Sequence, residues 1–161
     1  MKTRTPVMTP RRLTPSTQSQ SRSVICQTGP AIVAPKLPFE LRAFHTAGGR
    51  GRLLKLHYGH AETHFEAWHH SAAARLEVGL HFEGPAELNA RALDHFRGRM
   101  VEVKAELPRA ELEPWDRGWV RLYETIPAAV LSDDLLAPAG ALLATYVTTL
   151  QPLLNSFLES I

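Results

Sequence analysis

Histidine and glutamate dominate the chemistry that this sequence could perform. All eight histidines lie between His45 and His95. His57-x-x-His60, His64 and His69-His70 crowd one stretch, and His81 stands two residues before Glu83. Imidazole and carboxylate together suit Zn, Ni, Mn or Fe(II). No helical two-histidine motif, cysteine pair or familiar ligand spacing accompanies them. A divalent transition-metal site on this pattern would take His57, His64, His81 and Glu83 as ligands. The plainer reading is a set of exposed histidines on a hydrated surface. Other chemistry is thinner. Glu77 and Glu83, on one face of a strand but six residues apart, stand roughly 20 Å from each other and cannot act as a pair. Glu102-Val103-Lys104 has the Glu-x-Lys spacing of many nucleases, but it falls in a helical pattern. No Gly-x-Ser-x-Gly elbow exists, and the one cysteine, Cys26, lies near the N-terminus, so nucleophilic catalysis has no candidate.

The element that must position the histidines is Arg75-Leu76-Glu77-Val78-Gly79-Leu80-His81-Phe82-Glu83. Its strict alternation sets Leu76, Val78, Leu80 and Phe82 on one side and charged groups with His81 on the other, the period of a β-strand. Leu53 to Tyr58 and Glu62 to His69 alternate in the same way. Trp119 to Thr125 is a further strand, joined to a short extended piece, Glu111 to Trp115, by the turn Asp116-Arg117-Gly118. Between them, Leu88, Ala92, Phe96, Met100, Val103 and Leu107 predict one amphipathic helix of about six turns, with Gly98 as its weak point. Ser132-Asp133-Asp134 starts a last helix carrying Leu142, Tyr146, Leu150, Leu153 and Phe157. In that helix, Pro138 is expected to restart the helix and Pro152 to kink it.

The order β-β-β-α-β-β-α predicts an α+β two-layer sandwich. A mainly antiparallel sheet of about five strands carries two amphipathic helices on one face. The polar sides of the strands then pool Lys55, His57, His64, Glu66, Glu77, His81, Glu83, Glu111, Glu113, Arg121 and Tyr123 on the face left uncovered, with Trp68, Trp115 and Trp119 beside them. Trp, Tyr and Arg lead protein-binding hot spots, which makes this face a candidate docking surface. The apolar end of the last helix, Leu153 to Leu158, is a second candidate for self-association.

Charge is unevenly spread. Residues 1–39 hold six basic side chains and no acid, while the remainder holds 12 basic and 16 acidic groups, a net −4. Residues 1–38 are rich in Pro, Ser, Thr, Gln and Arg without hydrophobic period and read as a disordered basic tail, leaving residues 39–161 as a single domain. His45 to Arg52 reads as a glycine-rich turn. The basic charges are too dilute to signal nucleic acid. No apolar run approaches the ~20 residues of a membrane span. The N-terminus lacks the apolar core of a secretory signal, although its composition is a loose fit to a transit peptide. The expectation is a cytoplasmic protein.

LEVGLHFE, Asn89 early in the next helix and ELEPWDRGWVRLYE together resemble a set of small uncharacterised bacterial α+β proteins over about residues 53–158. That resemblance implies the fold and no activity. It makes Glu77, His81, Glu83, Asn89, Glu113, Trp115, Asp116, Arg117, Trp119 and Arg121 the candidates for any shared site. Asp116-Arg117-Gly118 with its flanking tryptophans is equally readable as a hairpin turn held by two rings. The leading expectation is a non-enzymatic binding or assembly domain, a homodimer or a partner of another protein, using Glu77, His81, Glu83, Trp115, Trp119, Arg121 and Tyr123 and no cofactor. The alternative is a metal-binding protein or metal-dependent hydrolase.

Overall fold

A computed structural model describes residues 24–47 and 51–161. Six strands form one sheet: β1 (His45–Ala47), β2 (Leu53–His57), β3 (Thr63–His70), β4 (Arg75–Phe82), β5 (Glu111–Pro114) and β6 (Val120–Pro127). Their order is β1-β2-β3-β4-β6-β5, and every neighbouring pair is antiparallel. The alternation of the sequence becomes two faces. Leu54, Leu56, Phe65, Ala67, Leu76, Val78, Leu80, Phe82, Val120 and Leu122 are buried in the core under the helices. The protein is thus the expected α+β fold, with an open antiparallel sheet. The additional strand is β1, formed by the first residues of the expected glycine-rich turn; residues 48–50 of that turn lie outside the described residues.

Four helices accompany the sheet: α1 (Val24–Val33), α2 (Ala86–Arg97), α3 (Met100–Glu106) and α4 (Asp133–Glu159). Three of these differ from expectation. Residues 24–38 belong to the fold, whereas residues 1–23 of the expected tail lie outside the described residues. α1 packs against α4 and β2, and Ile25, Val33 and Leu37 are buried. Close approach explains its two glycine contacts. A Cβ at Gly29 would lie 2.6 Å from a Leu54 methyl, and one at Gly140 in α4 would lie 2.5 Å from a methyl of Ile32. The expected six-turn helix breaks at Gly98 and Arg99 into α2 and α3, where Arg99 leaves helical geometry (φ −111°, ψ 6°). The apolar stripe survives the break: Ala92, Phe96, Val103 and Leu107 are all buried. Glu102 and Lys104 lie exposed on α3, away from any strand.

α4 runs without interruption for 27 residues through both prolines, so Pro138 does not restart it. Pro138 and Pro152 both sit on the exposed side. There the carbonyls that a proline leaves unpaired four residues earlier are accessible to water. Leu153, Leu154 and Phe157 are buried by the chain's own core, so the apolar end of α4 is internal packing and not a self-association surface. Among the described residues, no helix is long and apolar enough to cross a membrane.

Leu37 is 2% exposed. Leu37→Ala is therefore expected to cost about 2–4 kcal/mol. Deleting residues 1–38 should cost more, because Ile25 and Val33 leave with it. Urea denaturation measures both, and an unchanged midpoint in the deletion would show that α1 contributes nothing to the core.

Candidate functional site

The second face of the sheet carries the chemistry. In the β3–β4 register, His64 stands directly opposite His81, and their rings stack at 5.9 Å between centroids. Glu66 follows two residues after His64 on the same side of β3, and Glu77 precedes His81 by four on β4, which is the period-two geometry of a strand. Lys55 of β2 lies opposite Glu66, and Arg121 of β6 lies opposite His81. Gly79 occupies the middle, facing Glu66 on one side and Tyr123 on the other. A Cβ at Gly79 would lie 2.6 Å from Tyr123 Cβ and from the Leu122 carbonyl oxygen, so the close approach of β6 requires glycine here.

This face is not hydrated surface. His64, Glu66, Glu77 and His81 are each at most 1% exposed, and Arg121 is 8% exposed. That overturns the expectation of exposed histidines on an uncovered face. Aromatic side chains supply part of the burial. Trp115 sets its edge against His81 (5.5 Å) while its face meets the Arg121 guanidinium (5.1 Å). Arg121 also lies 4.0 Å over Tyr123, and Trp68 packs on His70 and Trp115.

The buried groups form an alternating series. Lys55 Nζ donates to Glu83 Oε2 at 3.0 Å and lies 3.7 Å from Glu66 Oε2. His64 Nε2 is 3.6 Å from Glu83 Oε1 and 3.3 Å from Glu66 Oε2. His81 Nε2 is 3.5 Å from Glu66 Oε1 and 3.3 Å from Glu77 Oε1. Arg121 Nη1 donates to Glu77 Oε2 at 2.8 Å, and its Nη2 donates to Glu113 Oε1 at 2.5 Å. Tyr123 donates its hydroxyl to the same Glu113 oxygen at 2.9 Å. Burial pushes the Glu66 carboxyl up, but the His64 hydrogen bond and the His81, His64 and Lys55 charges outweigh it and hold the group below the usual carboxyl range. The hydrogen bond from Arg121 holds Glu113 low as well.

Two details of this series need a shared proton or a cation. His64 Nδ1 lies 2.9 Å from the Ala61 carbonyl, an acceptor that can only take a proton from it. Neutral His64 must then present the lone pair of Nε2 to two carboxylates. Further along, Glu66 Oε1, Glu77 Oε1 and both ring nitrogens of His81 are buried without a hydrogen-bond partner. Only a proton or a metal ion between these atoms reconciles the facing acceptors. One donor atom each from His64, Glu66, His81 and Glu83 lies within 4.8 Å of every other, a spacing at which one ion can be shared.

Of the expected metal ligands, His64, His81 and Glu83 converge. His57 does not; it stacks on His45 of β1 at 5.3 Å. Glu66, absent from the expected set, joins them; its signal was its alternation with His64 in one strand. Among the docking candidates, Glu77, Arg121, Tyr123 and Trp115 form the layer. Trp119 sits at its rim against Trp115 (5.7 Å), with Arg117 over its ring. Trp115 N donates to the Trp119 carbonyl, and Asp116 caps Arg117, so this segment is a hairpin turn held by two rings. Arg117 and Gly118 take positive φ there (59° and 76°). Asn89 is structural: its side chain bonds Gly84 N–H and the Gly84 and Gly118 carbonyls, tying the β4–α2 turn to the β5–β6 turn. His69 Nε2 donates to the Ala128 carbonyl at 2.8 Å and plays no part in the layer.

Arg121→Ala leaves Glu77 buried and uncompensated and is expected to cost about 3–5 kcal/mol. Glu113→Ala should cost less, because that side chain is 41% exposed. Equal losses in denaturant titrations would contradict this ranking. Acidification should remove stability in two windows. Burial holds His70 below the ordinary histidine value. The unfolded chain therefore binds the proton first, and stability falls as pH drops below about 6.5. Glu66 and Glu113 are held low, so their contribution is complete above about 4.5 and lost as pH falls through their lowered values. A melting temperature that stays level from pH 7 to 3 would rule this out.

Compared with known proteins, the chain matches no family model, no curated protein and no solved structure.

Proposed function

We propose that this protein binds a divalent transition metal on the polar face of its sheet, through His64, Glu66, His81 and Glu83. The observation that carries this reading is the pair of facing acceptors at His64. Its Nδ1 is committed to the Ala61 carbonyl, and its Nε2 points at two carboxylate oxygens. A histidine whose second nitrogen is fixed by a backbone carbonyl is the usual outer-shell arrangement of a metal-ligating imidazole. The flanking cations fit the same role. Lys55 holds one oxygen of Glu83 and leaves the other facing His64. Charge supports the reading too. Glu66, Glu77, Glu83 and Glu113 face two permanent cations, Lys55 and Arg121. With neutral histidines, one divalent ion balances the remaining two negative charges. The donors are imidazole and carboxylate only, which suits Zn, Mn, Fe(II) or Ni. Their burial favours a closed, retained ion over a site that must admit a substrate.

A docking role for the same face is the second reading, favoured by the half-buried Trp115–Trp119 corner and the exposed Arg117 beside it. It assigns partner contact to the rim only, since Glu77 and His81 are buried within one chain. Light scattering of wild type and Trp119→Ala separates it: a dimer lost in the variant supports docking, and a monomer at high concentration removes it.

Untagged protein titrated with Zn(II) or Mn(II) by calorimetry tests the metal reading. Wild type should bind, and His81→Ala and Glu66→Gln should lose the saturable signal. Lys55→Met, which frees Glu83 to turn and removes the charge beside Glu66, should weaken binding about 10- to 100-fold. Affinity should fall on acidification, because protons compete with the ion for its ligand atoms. Wild-type protein with no heat of binding and no change in melting temperature would overturn the proposal.

A further inference from the structure

One ion shared by His64, Glu66, His81 and Glu83 leaves a buried acceptor unexplained. Glu77 lies outside that four-residue group. Its Oε1 is nevertheless unpartnered and buried, and stands 3.3 Å from His81 Nε2, nearer than any Glu66 oxygen to that nitrogen. The layer also has a near symmetry about Glu66. On one side, Glu66 Oε2, His64 Nε2 and Glu83 Oε1 come together, with the other oxygen of Glu83 held by Lys55. On the opposite side, Glu66 Oε1, His81 Nε2 and Glu77 Oε1 come together, with the other oxygen of Glu77 held by Arg121. Each side supplies one imidazole, one terminal carboxylate aimed by a cation, and one oxygen of the shared carboxylate.

We propose that the site is a two-ion centre in which the Glu66 carboxylate bridges two divalent transition metals, one held by His64 and Glu83 and the other by His81 and Glu77. The inference rests on the metal-binding reading above and deepens it. The distances support it. Metal bonds of about 2.0–2.1 Å in a tetrahedral site set ligand–ligand edges of about 3.3 Å. The nitrogen–oxygen separations on the two sides run from 3.3 to 3.6 Å. The two oxygens of one carboxylate then place the ions at the ~3.5–4 Å separation of two-metal sites. The arrangement also satisfies every unpartnered atom along this axis, Glu66 Oε1, His81 Nε2 and Glu77 Oε1, which one ion does not. Two ions bring two more positive charges than the layer offsets. Two hydroxides or one dianion such as carbonate, taken from solvent and bound at the ions, supply the balance.

Mn(II) is the probe, because two bridged Mn(II) ions give an exchange-coupled electron paramagnetic resonance spectrum that isolated ions do not. Wild-type protein, dialysed and titrated with Mn(II), should bind two ions per chain and show coupling. Glu77→Gln and, independently, Glu83→Gln should each reduce the count from two to one and abolish the coupling. Glu83 is partly exposed, so its variant reports on bridging even if Glu77→Gln fails to fold. One ion per wild-type chain, lost in Glu83→Gln, would overturn the two-ion centre while leaving the metal-binding reading intact. Two ions without coupling would overturn the Glu66 bridge. No bound ion at all would overturn both.

Discussion

Glu66 is a carboxylate stripped of water and placed between two imidazoles, and the rest of the polar face is arranged around it. Removing such a group from water costs several kcal/mol even after local relaxation. The fold meets that cost with charge rather than with solvent. His64 and His81 flank the carboxylate, Lys55 approaches its outer oxygen, and Glu77 and Arg121 continue the alternation to the next strand. With both histidines protonated the layer is neutral, and with both neutral it needs a divalent cation. In the proposed metal-binding role, protons and metal compete for the same nitrogens, and the burial of the layer makes that competition strong, because the interior weakens every charge less than water does.

This constraint explains the division of labour between the faces. The helical layer of α1, α2 and α4 packs on the apolar side and supplies most of the hydrophobic stabilisation. Among the described residues no helical layer covers the polar side, which uses long side chains instead. Trp115 is central to that arrangement: one ring meets His81, Arg121, Trp68 and Trp119. The hairpin turn that sets Trp115 is tied by Asn89 to the end of β4, two residues past Phe82. The position of the aromatic cover and the position of His81 are therefore fixed by one connection.

Much of the fold was legible because period two and period three-to-four are strong signals, and they placed β2, β3, β4, β6, α2 and α4. α1 was not, because Gly29, Pro30 and the lack of charged residues in Val24–Val33 erase the amphipathic pattern. Its helix depends on packing against Leu54 and α4, which is a tertiary cause overriding local propensity. The break between α2 and α3 was signalled by Gly98 alone. At the site, alternation told which residues share a face, and so found His64, His81 and Glu83. Register decides which residues touch, and register is not local. The sequence therefore offered His57 as readily as Glu66, although one stands at the end of β2 stacked on His45 of the edge strand and the other at the centre of the layer. Burial was equally hidden, since Glu77 and His81 look like surface residues until β6 and Trp115 are placed beside them.

The most direct measurement is anomalous diffraction at the metal edge, on crystals of the full chain grown with Zn(II) or Mn(II). Density is expected beside Glu66, between the His64 and His81 rings, with Glu83 and Glu77 turned toward it. Density only at His45, His57 or His60, or none while Glu66 stays hydrogen-bonded between protonated imidazoles, would contradict it and leave the layer as a self-neutral buried ion-pair network.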